Sequence, residues 1–323
     1  MTIIPRWSNS SGYFFLYMAN IVFMGTPDFA VPALESLHRE FGVKAVVTNP
    51  DKPQGRGLKL TASAVKKAAM ELDIPVMQPL SLKSADFFDE LQSLEPDIIC
   101  VIAFKILPKS IYGLASKGTF NVHGSLLPKY RGAAPIQWSI IHGEKETGVT
   151  TFLLNDTVDT GNILLQKRIS IADNMTYGEL YGAMMPLAAD IAVETTSLLL
   201  SGNYSALAQD DNLSCPAPKI FREQCGINWG LSAEKATHFI HGVSPIPGAW
   251  TYFPTGTMKI FKSQISDKKI PQGTYCIDEN RLYIGCADNS IEVLELQIEG
   301  KPRMGVQQFL HGYRGEKSGS VMQ

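Results

Sequence analysis

From Ile21 onward the chain alternates short, uninterrupted apolar runs with stretches whose apolar residues recur at helical spacing. The runs are 21–25 (IVFMG), 43–48 (VKAVVT), 75–77 (PVM) and 97–103 (DIICVIA), and the helical stretches between them cover 27–40, 62–72 and 82–94. A strand that is apolar on consecutive positions is buried on both faces, which is the habit of strands in parallel sheets. Alternation of such strands with helices predicts right-handed βαβ units. The N-terminal part is therefore expected to be an open α/β domain with a mostly parallel, Rossmann-like sheet.

The pattern changes after a long apolar helix near 180–200. Residues 201–221 (SGNYSALAQDDNLSCPAPKIF) are polar, contain two prolines and show no usable period, which reads as a linker. A helical stretch at 232–241 follows, and then come short runs bounded by turn residues at 248–253, 257–261, 273–278, 281–286 and 290–298. Short strands at that spacing predict a small OB-like β-barrel. With 323 residues, two domains are expected. The boundaries read as 18–202 for a catalytic domain, 203–225 for the linker and 226–323 for the barrel. At the N-terminus, the apolar stretch 13–18 after Arg6 has the outline of a signal peptide, but it is short and lacks a small-residue cleavage site. Met18 reads as the native start, and residues 1–17 as a dispensable leader.

Charge narrows the range of partners. A net charge of −2 excludes a protein sheathed in cations for nucleic acid, so any RNA contact must be local. The segment 50–67 (PDKPQGRGLKLTASAVKK) supplies such a place. It holds Lys52, Arg56, Lys59, Lys66 and Lys67 against Asp51, a net of +4. Gly55 and Gly57 flank Arg56 and leave it on a loop free to order on a phosphate backbone or an unpaired base. The five cysteines are odd in number and lack paired spacing, so they read as reduced thiols of a cytoplasmic protein with no metal site. A dinucleotide enzyme is excluded by the corner after the first strand, where Pro27 and Ala30 occupy positions that the glycine fingerprint reserves for glycine.

Candidate chemistry concentrates in 118–137 (GTFNVHGSLLPKYRGAAPIQ). Successive side chains of a strand point to opposite faces, so Asn121 and His123 share a face. They sit at the strand's C-terminal end, where open α/β sheets bind ligands. Taken alone, the pair reads equally well as two satisfied polar groups. Its context is more specific. Ser125-Leu126-Leu127-Pro128 following Asn121-x-His123 resembles the motif of the 10-formyltetrahydrofolate-dependent formyltransferases. Asp159-Thr160-Gly161, in a TGVT-x8-DTG arrangement, resembles the place of that family's third catalytic residue. The resemblance runs from about 21 to 200, and the linker and C-terminal region resemble the branch that acts on methionyl initiator tRNA. Phe104-Lys105 departs from the tyrosine and glycine expected there.

The resemblance implies transfer of a formyl group from 10-formyltetrahydrofolate to the α-amino group of methionyl initiator tRNA, without a metal and with Asn121, His123 and Asp159 as catalytic residues. It further implies that Ser125, Leu126, Leu127 and Pro128 shape the folate pocket, with a cis Leu127-Pro128 bond, and that Arg56, Lys52 and Lys59 meet the tRNA. A cytoplasmic monomer with no membrane contact is expected. The chemistry suits these residue types. A non-titrating amide can donate to an oxyanion, while a histidine oriented by a carboxylate can handle the proton. Two alternatives stay open: a formyltransferase for a nucleotide-linked amino sugar, and a non-catalytic folate or RNA binding module. Tyr130 and Arg131 read either as substrate contacts or as an anchored turn.

Overall fold

The computed structural model describes residues 19–54 and 59–321. The expectations for the 1–17 leader and for Arg56 with its flanking glycines fall outside the described residues. The N-terminal region runs β1 (Ile21–Gly25), α1 (Val31–Phe41), β2 (Val43–Val47), β3 (Lys52–Gln54), β4 (Lys59–Thr61), α2 (Ala64–Glu71), β5 (Val76–Met77), α3 (Ala85–Ser93), β6 (Ile98–Ile102), α4 (Lys109–Tyr112) and β7 (Gly118–His123). It continues through α5 (Pro135–Ile141), β8 (Glu146–Leu153), β9 (Ile163–Ser170) and α6 (Tyr177–Ser201). Local signals set the helix ends. A proline opens the first turn of α1, and Gly42 ends it at φ 76°, while the Ser63 hydroxyl accepts from the Lys66 N–H to cap α2.

Seven strands form one sheet in the order β5-β2-β1-β6-β7-β8-β9. Every residue of β1 and β6 is buried, as strands covered on both faces must be. Strands β5 through β7 are parallel, whereas β8 runs antiparallel to β7, with Asn121 opposite Phe152 and His123 opposite Thr150. The strand order reverses between β1 and β6. That reversal opens a crevice at the carboxyl ends of the parallel strands. Helix α6 is long and apolar enough to cross a membrane by length and composition. It nevertheless buries Leu180, Met184, Ala188, Ile191, Ala192 and Leu199 in the protein core and carries Asp190 and Glu194.

The C-terminal region comprises α7 (Ala233–Gly242), β10 (Ala249–Phe253), β11 (Gly256–Ser266), β12 (Thr274–Asp278), β13 (Arg281–Gly285), β14 (Ser290–Ile298), β15 (Met304–Gly305), α8 (Val306–Gly312) and β16 (Ser318–Ser320). The strands make an antiparallel, barrel-like sheet in the order β10-β11-β14-β13-β12-β16, with β15 on β14. Register shifts at 260–263 interrupt the long β11 ladder, the kind of irregularity that bends a strand and lets a sheet curl. Its core gathers Trp229, Ile240, Phe253, Met258, Tyr275, Val293 and Phe309.

The chain divides into two compact units. One holds the described residues up to Pro128 together with Gly148–Lys167 and Met184–Ser214; the other holds Lys129–Thr147, Arg168–Ala183 and the chain from Cys215 onward. The polar segment 201–221 carries backbone pairing that its composition conceals. In the first unit Leu207 bridges to Ile163, and in the second Pro216 bridges to Arg131.

Candidate active site

Asn121 and His123 lie two residues apart on β7, so both project from the same face of the sheet. Asn121 is half-buried, and among the described residues its amide makes no hydrogen bond, which leaves the NH2 available to a ligand. His123 is only 6% exposed, and its Nδ1 stands 3.7 Å from Oδ2 of Asp159. That distance suits an ion pair once the ring is protonated and is longer than a direct hydrogen bond.

Asp159 comes from the 154–162 loop and holds a left-handed backbone, φ 55°. The loop is braced at several points. The Asn155 carboxamide oxygen accepts from the Thr157 N–H at 3.0 Å and the Thr160 hydroxyl at 3.1 Å. The Tyr112 hydroxyl donates to Asp156 at 2.5 Å, and Lys109 pairs with the same carboxylate at 3.5 Å, holding it below the usual carboxylate range. Gly161 lies so close to β8 that a Cβ there would fall 1.7 Å from the Leu153 carbonyl oxygen.

Residues 125–128 form the turn after β7, with a cis Leu127-Pro128 peptide. The Ser125 and Leu127 side chains are buried, Leu127 against Phe152 and Ile163, so they shape the turn from inside. Leu126 and Pro128 are half-buried and present the more open surface. Two residues that the sequence did not single out organise this turn. The Thr150 hydroxyl donates to the Ser125 carbonyl at 2.7 Å and accepts from the Leu127 N–H at 3.0 Å. The Gln166 amide donates to the Leu127 carbonyl at 2.8 Å and to Thr150 at 2.9 Å. Both sit on strands whose alternation hides them among ordinary polar positions. Phe104 packs against the core around β1 and β6, while Lys105 beside it is exposed.

In the second unit, Tyr130 is 4% exposed and donates to Glu144 at 2.8 Å. Burial and that carboxylate push its phenol well above the ordinary range. It is an anchor, which fits the anchored-turn reading of Tyr130-Arg131. The Arg131 N–H donates to the Cys215 carbonyl, and the Ala217 N–H donates back to the Arg131 carbonyl.

The described flanks of the basic segment include two short strands. β3 and β4 pair antiparallel, with Lys52 opposite Thr61, and the hairpin follows β2 at the same carboxyl edge of the sheet as Asn121 and His123. Lys52 is exposed, Lys59 opens β4, and Leu60 is 73% exposed beside it. The base of the hairpin is fixed by Asp51, which accepts from Lys66 at 2.7 Å and from Gln78 at 2.9 Å. Those two hydrogen bonds hold the Asp51 carboxyl below its usual range. Among the described residues no group of three or more His, Cys, Asp or Glu side chains is placed to hold a metal ion.

The chain is similar to known proteins along most of its length. The formyl transferase family profile matches residues 19–196, and the profile of the formyl transferase C-terminal domain matches residues 219–314. A methionyl-tRNA formyltransferase of Porphyromonas gingivalis is 43% identical over 307 residues, covering 91% of this chain and 95% of that one. Its counterpart from Clostridium novyi is 40% identical over 297 residues, covering 90% of this chain and 96% of that one. The solved structure of an N-formyltransferase from Helicobacter canadensis, in complex with folinic acid and dTDP-3-aminofucose, superposes with a TM-score of 0.64. That pair shares 21% identity over 85% of this chain and 98% of the other, a likeness of fold alone. The chain belongs to the formyl transferase family through both its N-terminal and its C-terminal domain.

Proposed function

We propose that this chain transfers the formyl group of 10-formyltetrahydrofolate to the α-amino group of methionyl initiator tRNA. The carrying observation is identity above 40% to methionyl-tRNA formyltransferases across both domains, with Asn121, His123 and Asp159 present in the sequence that the relatives align with. We assign the chemistry to residues 18–202 and RNA affinity to residues 226–323, joined by 203–225, in a cytoplasmic monomer without membrane contact. The 10-formyltetrahydrofolate is a co-substrate that supplies the formyl carbon, and the half-buried Leu126 and Pro128, on the turn that follows Asn121 and His123 in the chain, suit the edge of its pocket. Lys52, Lys59 and Arg56 are the residues we assign to the tRNA.

The residues divide the work as follows. An α-amino group has a reference pKa of about 8, and the esterified carboxyl of an aminoacyl-tRNA lowers it further, so much of the nucleophile is neutral near neutral pH and needs little activation. The Asn121 amide donates to the oxygen that gains charge when the amine attacks the formyl carbon, a contribution of about 3 kcal/mol for one preorganised donor. His123, aligned by Asp159, takes the proton that leaves the nitrogen; as the oxyanion collapses to the new amide, the bond from the formyl carbon to N10 breaks, N10 takes up a proton and tetrahydrofolate leaves. The test is incubation with 10-formyltetrahydrofolate and methionyl initiator tRNA, followed by detection of formylmethionine. Formylation of a nucleotide-linked amino sugar with none of the tRNA would transfer the assignment to that substrate class. Tight folate binding with no turnover on either substrate would leave only a binding module.

A further inference from the structure

Residues 201–221 look like a plain connection, yet one part of them is built onto the candidate active site. The Ile163 N–H donates to the Leu207 carbonyl and the Leu207 N–H to the Ile163 carbonyl, each at 2.8 Å. This two-sided bridge fixes the chain beside the start of β9. Two residues further on, the side-chain NH2 of Gln209 donates to the peptide oxygen of Asp159 at 2.9 Å and to that of Gly161 at 2.8 Å. These carbonyls bracket Thr160, so a single amide spans the turn that carries Asp159.

That turn needs holding. A non-glycine residue is uncommon at φ near 55°, though aspartate tolerates it better than most, and Asp159 holds that conformation. Asn155 and Tyr112 brace the front of the loop, and Gly161 packs on Leu153, but the backbone oxygens on either side of Thr160 are gripped from the 201–221 segment. The side-chain type is informative. An amide carries two N–H donors and no charge, so it can satisfy two carbonyls at once. A lysine or arginine in its place would bring a cation to compete with His123 for the Asp159 carboxylate.

We infer that Gln209 is a positioning residue for the transfer reaction, locking the turn that presents the Asp159 carboxylate to His123. The inference rests on the proposed role of Asp159, and the experiment keeps the two apart. In the full chain, Gln209→Met preserves length and removes both donors. It should lower kcat between about tenfold and a hundredfold, the range for a displacement of about 1 Å in a catalytic group, with KM for folate and tRNA within about twofold of parental. Introduced on top of Asp159→Asn, the same change should cost less than about twofold more, because residues that act through one another are not additive. Gln209→Asn keeps the donors but withdraws them by one methylene, and it should give the same ordering if the Met variant proves unstable. A parental kcat for both Gln209 variants, with Asp159→Asn impaired, would overturn the positioning role alone. So would a Gln209→Met loss that multiplies fully onto Asp159→Asn. A parental kcat for Asp159→Asn would remove the reading of Asp159 and this inference with it.

Discussion

Gly161→Ala places a single methyl where the turn meets β8. The new Cβ would lie 1.7 Å from the Leu153 oxygen, 2.9 Å from its carbonyl carbon and 3.0 Å from a ring carbon of Phe152. Real Cβ contacts essentially never fall below 3.0 Å, so turn and strand must part by at least about 1.3 Å. The obstacle is backbone, and no rotamer change relieves it. The Leu153 N–H donates to the Asn162 carbonyl at 3.0 Å, and a separation of that size breaks the bond. Overpacking of this kind costs about 1–3 kcal/mol, which for a domain of this size lowers Tm by roughly 2–12 °C. The displacement also moves Asp159, two residues away, by a distance expected to reduce kcat about a hundredfold. The assay is steady-state formylation of methionyl initiator tRNA beside a thermal melt, with Gly202→Ala as the control. Gly202 is also a backbone specialist, φ 69°, but no atom lies within 4 Å of its would-be Cβ. Its substitution should cost about 1 kcal/mol of stability and leave kcat unchanged. A folded Gly161→Ala protein with kcat within twofold of parental would refute the argument that the turn's position governs the reaction.

Asn121→Ala and His123→Ala should each lower kcat by about a hundredfold or more with folate affinity nearly intact, as read by single-turnover formylation and equilibrium binding; an unchanged kcat for either removes that residue from the mechanism. Lys52→Ala should raise KM for tRNA and flatten its dependence on salt while sparing folate binding, measured by rates across a salt series; an identical salt slope would detach the hairpin from the RNA. His241 gives a pH prediction for the second unit. It is 1% exposed, its Nε2 accepts the Ser263 N–H at 3.1 Å, and burial, aided by Lys262, pushes its pKa down to about 4. Below the ordinary value of about 6.5 the unfolded chain takes a proton that the folded chain refuses, so stability is full above that pH and falls by up to roughly 3 kcal/mol as pH drops toward 4. His241→Gln should flatten the fall in urea midpoint between pH 7 and 5, and an unaltered slope would show that another group titrates there.

The parts of this fold legible in the sequence are those whose signal is local. β1 and β6 announce themselves because burial on both faces forces consecutive apolar residues, and the helices between them end where serine, proline and glycine say they should. Asn121 and His123 needed only the alternation of a strand. Asp159 lies 36 residues further on in sequence, and no period links it to His123. Its approach depends on the antiparallel turn-back of β8 and on a left-handed residue, so only resemblance suggested it. The two short strands on either side of Arg56 and its glycines went unread, because three-residue strands among glycine and proline leave no periodic trace, and their pairing appears only when Lys52 meets Thr61. Thr150, Gln166 and Gln209 were invisible for a shared reason. Each is an ordinary polar residue whose partners are distant backbone groups, and composition carries no record of such pairs.

The bridge between Leu207 and Ile163 bears on how such a protein can be taken apart and recombined. Composition would set a natural cut at Gly202, where α6 has ended. A gene divided there would leave the fragment without the two backbone hydrogen bonds to Ile163 and without the amide that grips Asp159 and Gly161. Such a fragment could keep its sheet and still lose turnover, and a swap of downstream domains at that point would exchange the brace of the Asp159 turn along with the domain proposed to bind RNA. A cut after Ser214 retains both features, because the first compact unit extends to that residue. Chimaeras joined at 202 and at 214 should therefore differ in kcat even with the same appended domain, which places the seam for recombination inside the polar stretch and about a dozen residues past its start.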